Sequence, residues 1–400
     1  VSFAADSPIV RKVFQVTLPK SLPLRRSATP DGVTENETPD NDRVRYVWTA
    51  EDVPQLPSEP GQPPLWMFAP TVVVSSGDYA DFGRKLAAAL SEKTENAPKA
   101  VELAQKIAPE TMTPDQRVDA IRIWVARNIR PAGPALDELP WTAFTPADVT
   151  LESGYGDSAD RAILLGALLK AAGIDYRFVA ATSLGYAQET TRPLMRAPQD
   201  IFSKVLVYLP AFDSHLNDTG EYASLGSTES EESIGLVLES GRLMTIRPRR
   251  KGESSVAVSC RIRLRADGSA ELSFEDSYFG LPYQSIRRKF KEMTPAETGQ
   301  YFEALAAGVS QTAEFKGKPV TEFDTYPGKL YYTLEVPHFA AVSGNFLQFE
   351  LPGFSDLADR VRTAASSRRT PLWRNSTSKI ELDYRVELPA NFIPVGLGPE

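Results

Sequence analysis

A short glycine-containing turn leads directly into an apolar stretch at residues 162–169. Gly154 and Gly156 permit a tight turn. Asp157 or Ser158 can then cap the helix that the apolar stretch continues. This spacing predicts a helix that begins at position 158. The side chain of residue 158 therefore stands at a helix N-terminus, beside a tight turn.

A helix N-terminus changes the chemistry of the side chain placed there. Its unpaired N–H groups and the positive end of its dipole lower the pKa of a thiol, so cysteine hydrolases and acyl transferases place their nucleophile at such a position. The hydroxyl of Ser158 gains much less from the same field. The simplest interpretation is that Ser158, following Asp157, is a helix cap.

The sequence around this helix resembles the transglutaminase-like superfamily, in particular the bacterial proteins that join such a core to a β-rich domain of the DUF3857 type. The family pattern is Gly-Asp-Cys-x-Asp-Arg, followed by a helix that ends in Ala-Gly-Ile and then by a strand. Here Ser158 stands in place of the cysteine, and residues 176–181 match the strand. The resemblance implies that the cleft is supported by Tyr155, Gly156, Asp157, Asp160 and Arg161.

The resemblance also places the other two catalytic positions. The family's histidine opens a later strand, which is matched here by residues 202–209 with Lys204 at the histidine position. The family's aspartate is matched by Asp218. The resemblance thus implies a vestigial triad of Ser158, Lys204 and Asp218. One of the two histidines in the chain, His215, is close to Asp218 and is expected in a loop that spans residues 211–235.

Three interpretations of Ser158 remain open beside the helix cap. The former active site can be degenerate, with the fold retained for binding. Alternatively, Ser158 can act with Lys204 as its general base, which requires that Lys204 be buried enough to lose its proton near neutral pH. Finally, serine can replace a native cysteine, although this alone does not explain Lys204.

Composition excludes several other classes of protein. A net charge of −8, spread over mixed acidic and basic residues, disfavours a nucleic-acid-binding surface. The single cysteine, Cys260, excludes an intrachain disulfide and a cysteine-rich metal site. We expect no metal and no cofactor, and no integral membrane segment because no long apolar stretch exists. The family resemblance and the scarcity of cysteine together lead us to expect a periplasmic or secreted bacterial protein, although the first residues lack the layout of a signal peptide.

The patterning predicts an α+β protein in three parts. Residues 1–77 are predicted to form the C-terminal part of an N-terminal β domain, followed by a proline-rich connector that lies against the domains, with Trp66 packed as its anchor. Residues 78–240 are predicted to form a transglutaminase-like core, which is related to the papain-like cysteine proteinases. Residues 241–400 are predicted to form a β-rich, sandwich-like domain with a two-helix insertion.

These features predict a catalytically inactive transglutaminase-like protein that binds an unidentified peptide or protein through the former active-site cleft. The first alternative is an amidase, a peptidase or an acyl transferase of the same superfamily. Such an enzyme would use a native cysteine at position 158, or Ser158 with Lys204. The second alternative is a structural module that makes its contacts through its β domains.

Overall fold

The computed structural model describes residues 1–28, 32–249, 254–353, 367–373 and 379–395. The chain forms two compact units. The first contains residues 1–221, 225–251 and 365–377, and the second contains residues 222–224, 252–364 and 378–400. The division into three parts at residues 77 and 240 stays a prediction. No described helix combines the length and the apolar character that crossing a membrane requires.

The N-terminal part of the first unit is a three-stranded antiparallel sheet in the order β1-β4-β3. Side chains on β4 alternate between the two faces of the sheet, which brings Tyr46, Trp48 and Ala50 into one small core. Trp48 is fully buried and stacks on Phe14 at 5.4 Å between ring centroids. The strands of this region are β1 (Ile9–Pro19), β2 (Arg25–Ala28), β3 (Thr34–Asp40), β4 (Arg43–Val53) and β5 (Val72–Ser75), of which β2 pairs with β5.

The proline-rich connector follows β4. Residues 54–64, all of them described, form no helix or strand, as their proline content predicts. The connector ends at a single helical turn, α1 (Leu65–Phe68). Trp66 packs against the main core of the first unit, which confirms its predicted role as an anchor.

The helices of the first unit begin at recognisable capping residues. The Asp78 side chain accepts the N–H of Asp81 at the start of α2. Thr113 and Gln116 form the reciprocal capping box of α4, with a proline at its first position. The helices are α2 (Tyr79–Thr94), α3 (Pro98–Ile107), α4 (Pro114–Asn128), α5 (Ala147–Ser153), α6 (Ser158–Ala171) and α7 (Gln188–Arg196).

Helix α6 is the centre of the first unit. Every residue from 159 to 169 is buried, and the helix packs against α2, α3, α4 and α5 on one side and a five-stranded sheet on the other. The sheet has the order β10-β9-β8-β11-β12. Its strands are β8 (Arg177–Gly185), β9 (Lys204–Leu209), β10 (Ser214–Leu216), β11 (Ser233–Val237) and β12 (Arg242–Thr245), and β6 (Arg130–Pro131) pairs with β7 (Tyr155–Gly156) beside it.

Two parts of the predicted loop at residues 211–235 are strands: β10, and the start of β11 at Ser233. Residues 214–216 form β10, which pairs antiparallel with β9. All three side chains of β10 are buried, so the segment belongs to the sheet rather than to the surface. The expectation that His215 lies in a loop is therefore wrong.

The second unit is built on a sheet in the order β15-β17-β14-β13-β20, and β16 also pairs with β17. One face of this sheet buries Cys260, Leu272 and Leu334, and two helices contribute to the same core. These helices, α8 (Gly280–Glu292) and α9 (Pro295–Val309), lie where the helical insertion was expected. The strands are β13 (Ser255–Leu264), β14 (Ala270–Tyr278), β15 (Glu314–Phe315), β16 (Val320–Glu322), β17 (Gly328–Val336), β18 (Ala341–Ser343), β19 (Phe346–Gln348) and β20 (Lys379–Glu387).

Candidate functional site

Ser158 is the first residue of α6, but it is not the cap. The Asp157 side chain accepts the N–H groups of Ala159 and Asp160 at 2.7 and 3.0 Å, so the capping role belongs to Asp157. The Ser158 Oγ instead accepts the backbone N–H of Val205 at 3.2 Å. This hydrogen bond fixes the hydroxyl against the start of β9.

Asn217 joins the same two elements and was not found from the sequence. Its Nδ2 donates to the backbone carbonyls of Ser158 at 2.7 Å and of Val205 at 2.8 Å. Its backbone has a φ of +93°, a region that asparagine adopts more readily than most residues. An asparagine directly before Asp218 is a weak signal for such a turn, and the sequence does not show which carbonyls it contacts.

Lys204, which the resemblance matches to the family's histidine, is the first residue of a strand. It opens β9, pairs with Ala181 of β8 and is half-buried. The Lys204 Nζ makes no hydrogen bond to the Ser158 Oγ and no ion pair with Asp218, and all three residues lie in the part of the chain that the structure describes. Its charge instead acts on Glu229. Partial burial of the Glu229 carboxylate and the negative charge of Asp218 raise the pKa of Glu229, and the positive charge of Lys204 partly offsets this rise. The residue Glu229 as a whole is nevertheless exposed.

Asp218 holds the loop that follows it. Its Oδ2 accepts the hydroxyl of Thr228 at 2.6 Å, and both the N–H and the hydroxyl of Ser230, at 3.1 and 2.8 Å. Its Oδ1 is buried and receives no donor from the described residues. The Asp218 carboxylate therefore holds residues 228 and 230 close to residue 218. We call the loop of residues 218–230, closed by these hydrogen bonds, the clasp.

Two residues that match the family motif, Asp160 and Arg161, lie in the interior next to this site. Asp160 and Arg161 are each only 9% exposed. The Asp160 Oδ1 accepts the N–H of Thr145 at 2.7 Å, and burial, with Asp157 nearby, raises the pKa of Asp160. Burial lowers the pKa of Arg161, an effect that the charge of Asp218 opposes. These two residues support the start of α6 from inside.

The glycine of the motif is required by close packing. A Cβ atom at Gly156 would lie 2.8 Å from the Cβ of Asp160 and 3.2 Å from the Cγ2 of Thr150. Tyr155, its neighbour, is 58% exposed and so is open to a ligand. The turn therefore combines a backbone position that only glycine fits with an exposed aromatic ring.

His215 is too deeply buried to serve as a replacement base at the surface. It is 2% exposed, and its ring packs at a tilt of 34° against the ring of Tyr208, with a centroid distance of 4.9 Å. Burial lowers the pKa of His215 and keeps the imidazole neutral, although the charge of Asp218 opposes this effect.

A surface hollow of about 400 Å³ lies on the sheet of the second unit, and Ser158 does not line it. Its three acidic lining residues are already paired: Glu275 with Lys329 at 2.7 Å, Glu381 with Lys379, and Asp383 with Arg385 at 3.6 Å. Among the described residues, no group of His, Cys, Asp and Glu has the arrangement of a metal site. We therefore place the candidate site at the start of α6 and β9.

Helices and β-sheets occur together here, and the first residue of a central helix contacts the opening of a sheet strand, so the fold belongs to the α+β class. Residues 101–215 match the family model of the transglutaminase-like superfamily, so this chain contains a transglutaminase-like domain. The matched range includes Ser158 and Lys204 and ends three residues before Asp218.

Solved structures of bacterial and fish proteins are similar to this chain. A proposed protease from Parabacteroides distasonis has a TM-score of 0.51 and 15% identity, over 90% of this chain and 71% of that one. A proposed cysteine protease from Cytophaga hutchinsonii has a TM-score of 0.24 and 17% identity, over 54% of this chain and 72% of that one. Red sea bream transglutaminase has a TM-score of 0.21 and 10% identity, over 67% of each chain. Of these three, the first supports the fold. No curated protein shows significant sequence similarity to this chain.

Proposed function

We propose that this chain is a catalytically inactive transglutaminase-like protein of the bacterial DUF3857 type, which binds a peptide or protein through the cleft at Ser158, Lys204 and Asp218. The observation that carries the proposal is the clasp at Asp218. Its Oδ2 is occupied by Thr228 and Ser230, and its Oδ1 receives no donor from the described residues, so the carboxylate holds the loop and orients none of the described bases.

The chemistry at the other two positions supports the same proposal. A hydroxyl replaces the thiol, and a lysine replaces the imidazole. A serine nucleophile needs a base within hydrogen-bond reach of its proton, and the described Lys204 Nζ makes no such bond to Ser158. The Ser158 Oγ accepts the Val205 N–H instead.

The groups around the cleft suit a peptide. Lys204 and the exposed Glu229 place a donor and an acceptor close enough for their charges to interact. The exposed ring of Tyr155 adds an amphipathic surface. A peptide backbone offers both donors and acceptors, so this mixed lining matches it better than it matches a ligand of a single charge.

The first test separates binding from catalysis. The test would assay three purified proteins: wild type, Ser158→Ala, and the double variant Ser158→Cys with Lys204→His, which carries the family's residues at both positions. The assays measure ammonia release from a glutamine peptide and hydroxamate formation with hydroxylamine. We expect no turnover by wild type above that of Ser158→Ala. Wild-type turnover that disappears in Ser158→Ala would instead establish the amidase, peptidase or acyl-transferase alternative.

The second test separates the cleft from the β domains. A displayed random-peptide library would be selected on wild type, and the selected peptides would then be measured against Glu229→Lys and the control Glu239→Lys. Both glutamates are exposed, but Glu239 lies on the turn between β11 and β12. We expect Glu229→Lys alone to reduce binding. Equal binding by both variants would favour a structural module that makes its contacts elsewhere.

The proposal includes export to the periplasm or the medium of a bacterium. It rests on the family resemblance and on the single cysteine, Cys260, which is buried. Fractionation of cells that express the native gene tests it, and recovery of the protein only with cytoplasmic markers would contradict it.

A further inference from the structure

Residues 367–373, which we call the strap, lie against a turn at residues 59–62, which we call the receptor turn. Both belong to the first unit, although the strap comes more than 300 residues later in the chain. The receptor turn is braced internally, since the Gln62 Oε1 accepts the Glu59 N–H at 2.9 Å. It therefore holds its shape through bonds of its own.

The Glu59 carboxylate is the main acceptor for the strap. Its Oε1 accepts the N–H of Arg369 at 2.9 Å, and its Oε2 accepts the N–H and the hydroxyl of Thr370 at 3.0 and 2.5 Å. Arg368 lies 3.7 Å away as an ion-pair partner. The Thr370 hydroxyl, followed by the Arg369 N–H, lowers the pKa of Glu59 to about 2. The carboxylate is thus charged at all ordinary pH values.

Two backbone carbonyls of the receptor turn continue the pattern. The Pro60 carbonyl accepts the Arg368 guanidinium at 2.9 Å. The Gly61 carbonyl accepts the Trp373 N–H at 2.6 Å. In all of these contacts the turn accepts and the strap donates, so the turn offers only acceptors to the strap.

An aromatic anchor completes the contact. The Trp373 ring packs against the main core of the first unit. Its Cζ2 lies 4.0 Å from the point where a Cβ atom at Gly185 would be, at the end of β8. Thr370 is 5% exposed, so the centre of the strap is buried as well. Three kinds of group form this site: the Glu59 carboxylate, two backbone carbonyls, and the surface that holds the Trp373 ring. Together they give the site a preference for particular peptide sequences.

We infer that the receptor turn and the surface beside Gly185 form a second peptide-binding site, which the strap occupies as a reversible internal ligand. The site prefers the chemistry of Arg368, Thr370 and Trp373: a basic residue, a hydroxyl two positions later and an aromatic residue three positions after that. It is distinct from the cleft at Ser158. A peptide of this chemistry, supplied by another molecule, competes with the strap.

The test uses a fluorescein-labelled peptide with the sequence of residues 367–373 and full-length protein. Thr370→Ala with Trp373→Ala removes the hydroxyl and the aromatic ring by which the strap is held, and we expect this variant to bind the peptide at least about tenfold more tightly than wild type, since the internal competitor is weakened. Adding Glu59→Gln to it should remove this binding, whereas adding Glu51→Gln, at an exposed strand position of the same unit, should not. Equally weak binding by the double variant and wild type would overturn the inference.

A second measurement needs no variant. The amides of Arg369, Thr370 and Trp373 donate into the receptor turn, so they are protected from hydrogen exchange while the strap is bound. A saturating amount of unlabelled peptide should accelerate exchange in wild-type residues 367–373 and leave α6 unchanged. Unchanged exchange in the strap at saturation would show that the contact is permanent packing. Failure of the cleft assays above would not affect either result.

Discussion

The backbone N–H of Val205 donates a hydrogen bond to the Ser158 Oγ at 3.2 Å, and this bond joins the first residue of α6 to the second residue of β9. Val205 is fully buried, so water cannot easily replace the serine as acceptor. The side chain of Ser158 thus has a structural role that can be measured apart from any activity.

Replacing Ser158 with alanine should destabilise the first unit. The buried Val205 N–H loses its acceptor, which costs roughly 1–2 kcal/mol. Ser153→Ala serves as the control, because Ser153 is exposed and its hydroxyl only donates to nearby carbonyls. Urea unfolding followed by tryptophan fluorescence measures both. Equal stability of Ser158→Ala and wild type would show that the hydrogen bond contributes nothing.

Asn217 should matter through both its side chain and its backbone. Asn217→Gly removes the two hydrogen bonds to the carbonyls of Ser158 and Val205 but tolerates the φ of +93°. It should cost about 1–2 kcal/mol. Asn217→Ala loses the same bonds and adds backbone strain of about 1 kcal/mol. Urea unfolding should rank wild type above Asn217→Gly and Asn217→Gly above Asn217→Ala; an alanine variant as stable as the glycine variant would refute the strain.

Removing Asp218 should open the clasp. Asp218→Ala leaves the buried donors of Thr228 and Ser230 without their acceptor, and we expect a loss of about 2–3 kcal/mol. Hydrogen exchange should show the loss first at residues 218–230. Glu239→Ala, an exposed carboxylate in the same unit, should leave both exchange and stability unchanged. Exchange that is as slow in Asp218→Ala as in wild type would contradict the clasp.

Local patterns predict local structure here, and the core of the site is mostly local. The glycine turn, Asp157 and the apolar residues after Ser158 place the start of α6 correctly, because capping and burial act within a few residues. The helical pattern after Thr113 likewise places α4. The position of Lys204 at the opening of β9 came from the family resemblance and agrees with the strand.

Contacts that are distant in sequence were not predicted. Asn217 contacts carbonyls at residues 158 and 205, and nothing in its neighbours specifies those partners. His215 has few local strand signals, yet pairing with β9 buries it. The strap contacts Glu59 across more than 300 residues, with segments of the second unit between them. Such contacts depend on the whole fold, which a short pattern does not encode.

A buried carboxyl in the second unit makes the stability of that unit depend on pH. Asp276 on β14 is 5% exposed, its Oδ1 receives no donor from the described residues, and the Tyr278 hydroxyl is a distant donor at 3.5 Å. Burial raises the pKa of Asp276 from 3.8 to about 7. The native state therefore holds a proton that the unfolded state has already released between these two pH values.

Stability should consequently fall as the pH rises from about 4 to about 7, because the unfolded state binds fewer protons than the native state in this range. Asp276→Asn removes the titration, so it should stabilise the second unit by about 4 kcal/mol at pH 8 and by almost nothing near pH 4. All five tryptophans belong to the first unit, so urea unfolding must be followed by hydrogen exchange of β14 peptides. Glu303→Gln, at an exposed position on α9, is the control and should show no such pH dependence. A gain from Asp276→Asn that is equal at both pH values would mean that Asp276 releases its proton at the same pH in the folded and unfolded states.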